Sequence, residues 1–262
     1  MKFLLYLWPL VYAMHTDTKI NFVPAPENSN SLKVSKSFFR IGDRVLTLEK
    51  YVAHSERSYV LVSLHSNEMV AINTSMQFAQ QHGTTFYRLD NNNQKNVEAD
   101  FLDEKVKFDP NHIFTSWGRR LNLKLNRCWN NMTNKKVQQF AHFLTNEFVL
   151  DKTIVSVHNS DNNASVNDYR FLGKNEKQAR EIHQSRLMDP SDFFVTTDEK
   201  IYEQLQNRDF NVVLLQKGKV KDDGSLGVYC TKANKAFVNI EARASHPEEQ
   251  QRMLLVIDSI LP

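Results

Sequence analysis

The chain has 262 residues, 41% of them apolar and 24% charged, the balance of a globular protein with one large domain or two small ones. Its net charge of +3, from 33 Lys and Arg against 30 Asp and Glu, gives no ground for a nucleic-acid partner. Only seven glycines occur, and without G-x-G-x-x-G or G-x-x-x-x-G-K loops the dinucleotide- and P-loop-type functions are excluded.

Residues 1–13, MKFLLYLWPLVYA, read as a secretory signal. Lys2 precedes an apolar run from Phe3 to Tyr12, and Val11-Tyr12-Ala13 offers a small-residue cleavage site. The run is shorter than the roughly 20 residues that span a bilayer. No later stretch is long enough to span one either, so a periplasmic or secreted location is expected. Export would permit a disulfide between the two cysteines, Cys128 and Cys230, although sequence cannot show that they meet. Residues 14–32 are polar with two prolines and read as an extended lead-in to a single domain over 33–262.

From Lys33 onward, short apolar runs alternate with helix-like segments. Residues 59–64 (YVLVSL) form a strand-like run that ends in His65. Residues 67–81 carry Met69, Ile72, Met76 and Ala79 at helical spacing, and Gly83 suits the C-terminal cap. Strands are expected at 86–89 and 97–101 around a polar turn, then a helix at 135–150 with Val137, Phe140, Ala141, Leu144 and Phe148 on one side. The strand at 153–157 (TIVSV) runs into His158. Strands at 193–196 and 210–215 flank a helix at 199–207, and a strand at 237–240 ends in Glu241. A helix over 247–261, with proline at its first turn, closes the chain. This alternation predicts an α/β domain with a central mixed, mostly parallel sheet flanked by helices.

In open α/β sheets, ligands bind outside the carboxyl ends of the strands. His65, His158 and Glu241 each stand at such an end. Glu68 follows His65 at i+3 in a tight strand-to-helix turn, so an imidazole and a carboxylate can converge. With His158 they make two histidines and one carboxylate, a catalytic zinc set that leaves a fourth position for water. A second H-x-x-E, His246 and Glu249, contains Pro247 and reads as a solvated helix start.

The order His65-x-x-Glu68, then His158, then Glu241 resembles the zinc metallocarboxypeptidases of the carboxypeptidase A type. Their wider superfamily includes aspartoacylase-like deacylases and cell-wall peptide hydrolases. The resemblance implies one zinc per chain on His65, Glu68 and His158, with Glu241 as general acid/base. Asp109-Pro110-Asn111-His112-Ile113-Phe114 is similar to the family's Asp-x-Asn-Arg-x-Phe, whose Asn and Arg clamp a terminal carboxylate. Asn111 is kept, but His112 stands where arginine is expected and cannot offer a bidentate fork. Arg119 and Arg120 are candidates for the missing charge, Lys95 or Arg88 for the oxyanion cation, and Tyr229 for a substrate-facing phenol. The expected function is an exported zinc hydrolase of an amide bond in a peptide, with a peptidoglycan peptide as the substrate guess. A zinc deacylase of N-acyl amino acids and a metal-free binding or scaffold protein on the same fold are the alternatives.

Overall fold

The computed structural model describes residues 32–53, 57–148, 151–160 and 164–261. The leader expected at 1–13, and the lead-in apart from Leu32, lie outside the described residues. Eleven strands and six α-helices follow one another as β1 (Lys33–Ile41), β2 (Arg44–Val52), β3 (Tyr59–Ser63), α1 (Met69–His82), β4 (Thr85–Asp90), β5 (Val97–Phe101), β6 (Glu104–Phe108), α2 (Ser116–Leu125), α3 (Asn131–Glu147), β7 (Thr153–Ser160), β8 (Ala179–His183), β9 (Phe193–Thr196), α4 (Glu199–Gln206), β10 (Val212–Leu215), α5 (Leu226–Lys232), β11 (Phe237–Arg243) and α6 (Pro247–Ile260). Among the described residues no helix is long and apolar enough to cross a membrane.

Nine strands form one sheet in the order β1-β2-β4-β3-β7-β11-β9-β10-β8, and β5-β6 is a separate hairpin. The central run β4-β3-β7-β11 is parallel, as is the β9-β10 pair. The other four pairings are antiparallel, so the sheet is evenly mixed. All five residues of β3 are buried, and so are seven of the eight in β7. Continuous burial of this kind marks strands covered on both faces. Alternate residues then supply two cores. Val60, Val62 and Ile154 join Phe140 and Leu144 of α3 on one side, while Leu61, Val155 and Val157 join residues of α1, α4 and α6 on the other.

Local chemistry sets the helix ends. Gly83 adopts a left-handed conformation with φ 81°, and its N–H caps α1 by donating to the Ala79 carbonyl. Asn130 accepts from the Thr133 N–H at the start of α3, and Pro247 opens α6. Strands β1, β2, β6 and β8 and helices α2 and α5 were not individually marked by the sequence pattern. β1 and β8 are sheet edges with exposed faces, which blunts the apolar signal. Cys128 and Cys230 are free thiols buried in the same core, and no disulfide joins them.

One close approach fixes the loop that leads to the site. A Cβ on Gly118 of α2 would lie 2.0 Å from the Gly224 Cα, so the two backbones touch. Gly118→Ala is expected to lower stability by about 1–3 kcal/mol through overpacking, read from denaturant unfolding, despite alanine's better helix propensity.

Candidate metal centre

The turn between β3 and α1 carries two donors. Glu68 N–H donates to the His65 carbonyl at 3.2 Å, and Ile72 N–H donates to the Glu68 carbonyl at 3.0 Å. This tight turn brings His65 Nδ1 to 2.7 Å from Glu68 Oε1. Two strands away from β4, β7 lies parallel to β3 and delivers His158, whose Nδ1 stands 3.0 Å from the other oxygen, Glu68 Oε2. Both imidazoles therefore face one carboxylate. Their ring centroids are 5.2 Å apart, and donor atoms of His65, Glu68 and His158 all lie within 4.8 Å of one another. All three side chains are more than nine-tenths buried.

The outward-facing nitrogens are held as well. His65 Nε2 pairs with Asp109 Oδ1 at 2.8 Å, and His158 Nε2 pairs with Ser156 Oγ at 2.8 Å. Such partners fix ring orientation and leave Nδ1 aimed at the shared centre. Asn159 braces the acid, donating its backbone N–H to Glu68 Oε2 at 3.3 Å and its side-chain amide to Gln250 Oε1 at 3.2 Å. Gln250 in turn donates to the His158 carbonyl at 3.0 Å. Two nitrogens and one carboxylate facing inward, each with an outer partner, fit a divalent ion of the zinc type.

The charges at the centre are strongly perturbed. Burial disfavours the imidazolium of His65, but hydrogen bonds and charge from Asp109 and Glu68 outweigh it and lift the pKa to about 10. Burial also disfavours ionised Glu68, yet His158 and His65 outweigh it and hold the carboxyl at about 2. His158 is likewise raised, because Glu68 overcomes its burial. Glu241 behaves in the opposite way. Burial and the Glu68 charge raise it, against opposing contributions from His158 and from Asn239, which donates to Glu241 Oε1 at 2.9 Å. Glu241 and His158 are register partners on adjacent parallel strands, so the second carboxyl stands beside the cluster.

His65, Glu68, His158 and Glu241 open into one cavity of about 420 Å³. Asn111, His112 and Lys95 also line it. His112 pairs through Nδ1 with the Asp223 carbonyl at 3.0 Å, and the Asn111 side chain accepts from Leu226 N–H at 3.4 Å. The other sequence candidates lie elsewhere. Arg119 points inward, donating to the Ile113 carbonyl at 3.0 Å and to Asn134 at 3.2 Å. Arg120 stacks over the Trp129 ring at 5.0 Å. Tyr229 packs on Phe114, with ring centroids 6.1 Å apart, and Arg88 reaches Glu49 at 3.4 Å. Their side chains meet core and surface partners because α2, α5 and β4 turn those faces away from the cavity. His246 pairs with Asp192 at 2.7 Å, while Glu249 pairs with Arg252, so the second H-x-x-E is no donor pair.

Sequence reasoning missed several cavity residues: Tyr169, Lys221 and Asn239. It also gave no role to Asp109 or Ser156. Period-2 alternation marks Ser156 and Asn239, since each precedes a cavity-lining residue by two on its strand. Tyr169 and Lys221 come from irregular segments with no pattern to place them.

No protein-family model matches the chain, and no curated protein matches it. Among solved structures, it is similar to an aspartoacylase family protein from Mesorhizobium loti at 13% identity and TM-score 0.46, over 88% of this chain and 68% of that one. A Shewanella baltica protein provisionally named a metallopeptidase aligns at 10% identity and TM-score 0.42, over 87% and 83%. A Shewanella denitrificans protein provisionally named a carboxypeptidase A aligns at 11% identity and TM-score 0.39, over 87% and 63%.

Two outcomes follow from the geometry. Asp109→Asn should weaken divalent-metal binding by about 10–100-fold, measured by competition with a chelating dye, because His65 loses its orienting carboxylate. In metal-free protein, protonated His65 stabilises the fold fully below its unfolded pKa of 6.5 and progressively less as pH rises toward about 10. Ionised Glu68 contributes above its unfolded value of 4.5, and that contribution is lost as pH falls through about 2. Thermal melts should therefore show metal-free stability declining from pH 6.5 to 10, with a shallower decline in His65→Gln.

Proposed function

We propose that the chain is an exported, zinc-dependent hydrolase of an amide bond. The convergence of His65 Nδ1 and His158 Nδ1 on the buried Glu68 carboxylate, with Glu241 beside them in one cavity, carries this reading. Nitrogen donors favour zinc over magnesium or calcium, which take oxygen ligands.

Zinc held by His65, Glu68 and His158 would supply Lewis acidity and lower the pKa of a water on its open side toward ~7. Glu241 accepts a proton from the attacking water as its oxygen adds to the amide carbon. The same carboxyl returns that proton to the leaving nitrogen as the carbon–nitrogen bond breaks. The upward shift of its pKa by burial suits this double duty, since it makes the carboxylate a stronger base than an exposed glutamate. The Asn239 amide holds one Glu241 oxygen and leaves the other for the proton. Lys95, with Lys221 across the same cavity, supplies positive charge for the substrate's developing or standing negative charge. Asn111 offers an amide to the substrate from the same wall.

Export rests on the pattern of residues 1–13. A peptidoglycan peptide is the proposed substrate, supported by that leader and by His112 in place of a carboxylate-clamping arginine. Deacylation of N-acyl amino acids is a second reading, favoured by the modest cavity with Lys95 and Lys221 along it.

Metal analysis of purified protein should find about one zinc per chain, lost in His65→Ala. Zinc-free protein that folds normally would favour a scaffold instead. Glu241→Gln should keep the zinc while turnover falls by about 10²–10⁴-fold. Assays on cell-wall peptides and on N-acyl amino acids separate the two substrate readings.

A further inference from the structure

The sequence contains no Asp or Glu between Asp109 and Glu147, while six Lys and Arg fall in that interval. The structure gathers the interval into α2, its connection and α3. Arg119 is turned inward, and Lys136 lies over the Phe39 ring at 4.8 Å. Arg120, Lys124, Arg127 and Lys135 remain exposed, and none of the four forms an ion pair among the described residues. Glu104 of β6 meets the edge of this face, accepting from Asn130 at 2.7 Å.

The same stretch of chain exposes large apolar side chains. Trp117 is 60% exposed, Leu125 75%, Trp129 37% and Met132 58%. Trp117, Arg120 and Lys124 recur at i, i+3 and i+7, so they share one side of α2. The Trp129 ring sits beneath Arg120 at 5.0 Å and Lys124 at 5.5 Å, which holds both charges against an aromatic plane. This mixture suits a partner that is anionic and also takes up apolar groups.

We propose that this face of α2 and the start of α3 docks on an anionic lipid bilayer. Lysine and arginine near such a surface are attracted by its negative potential. Tryptophan belongs at the headgroup level, and leucine and methionine enter the acyl boundary. A polynucleotide would use the cations but offers little to the aliphatic Leu125 and Met132. α2 begins shortly after Asn111 and His112, so docking would bring the cavity wall close to the bilayer. The proposal is independent of the hydrolase reading.

The test is sedimentation of the full chain with phosphatidylcholine vesicles, with and without phosphatidylglycerol. Binding is expected only with phosphatidylglycerol, weakening as salt rises, with a blue shift of tryptophan emission. R120E/K124E should weaken partitioning by at least ~10-fold. R127E/K135E, which leaves the Trp129 stack untouched, should weaken it in the same direction and decides the matter if the first variant fails to fold. Equal binding to neutral vesicles would assign the effect to residues 1–13 and overturn the proposal. No binding, insensitivity to both variants, or tighter binding to an oligonucleotide through the same residues would also overturn it.

Discussion

Glu68 is a carboxylate shut between two imidazoles, and much of this molecule is arranged to keep it there. A buried ionised acid is expensive unless hydrogen-bonded and matched in charge. Here both oxygens are used: one by His65, the other by His158 and the Asn159 N–H. Those partners come from the β3–α1 turn and from β7, so the cluster exists only if β3 and β7 pair parallel in the observed register. α6 completes the brace, because Gln250 touches both Asn159 and the His158 carbonyl. The chemistry and the fold thus constrain each other through one side chain.

Environment assigns different roles to two neighbouring acids. Glu68 is drawn down to about 2 by two cationic rings, whereas Glu241 is raised by burial and by the Glu68 charge. When a site separates two carboxyls in this way, one stays an anion and the other holds a proton more readily than an ordinary carboxyl. That division leaves Glu68, with the two histidines, as the anionic member of a group that could hold a metal ion. The cavity's cations come from lysines on loops at its wall instead of from a guanidinium, so charge is offered as mobile points and not as a planar fork.

The parallel centre of the sheet explains where the site is. β3, β7 and β11 run the same way, so their carboxyl ends open on one edge. His65, His158 and Glu241 were legible because each directly follows or ends an apolar run, and such ends are where α/β sheets bind ligands. The i, i+3 spacing of His65 and Glu68 was equally visible. Arg119, Arg120 and Tyr229 read as near the site because they are near it in sequence. Helical rotation decides otherwise: Arg119 faces the core, Arg120 faces Trp129, and Tyr229 faces Phe114. The cavity residues Tyr169 and Lys221 have no periodic context, so sequence offered nothing to place them.

Sequence by itself determined much of the alternation of strands and helices, the cap at Gly83, proline at the first turn of α6, and the placing of His65, Glu68, His158 and Glu241 as candidates at strand ends. These are local properties of spacing and residue type, fixed within a turn or a strand. Tertiary structure alone decided the antiparallel flanks of the sheet, the Asp109 and Ser156 partners of the histidines, and which cations line the cavity. Those depend on strand order and on the rotation of helices about their axes, which long-range packing sets and no short segment encodes.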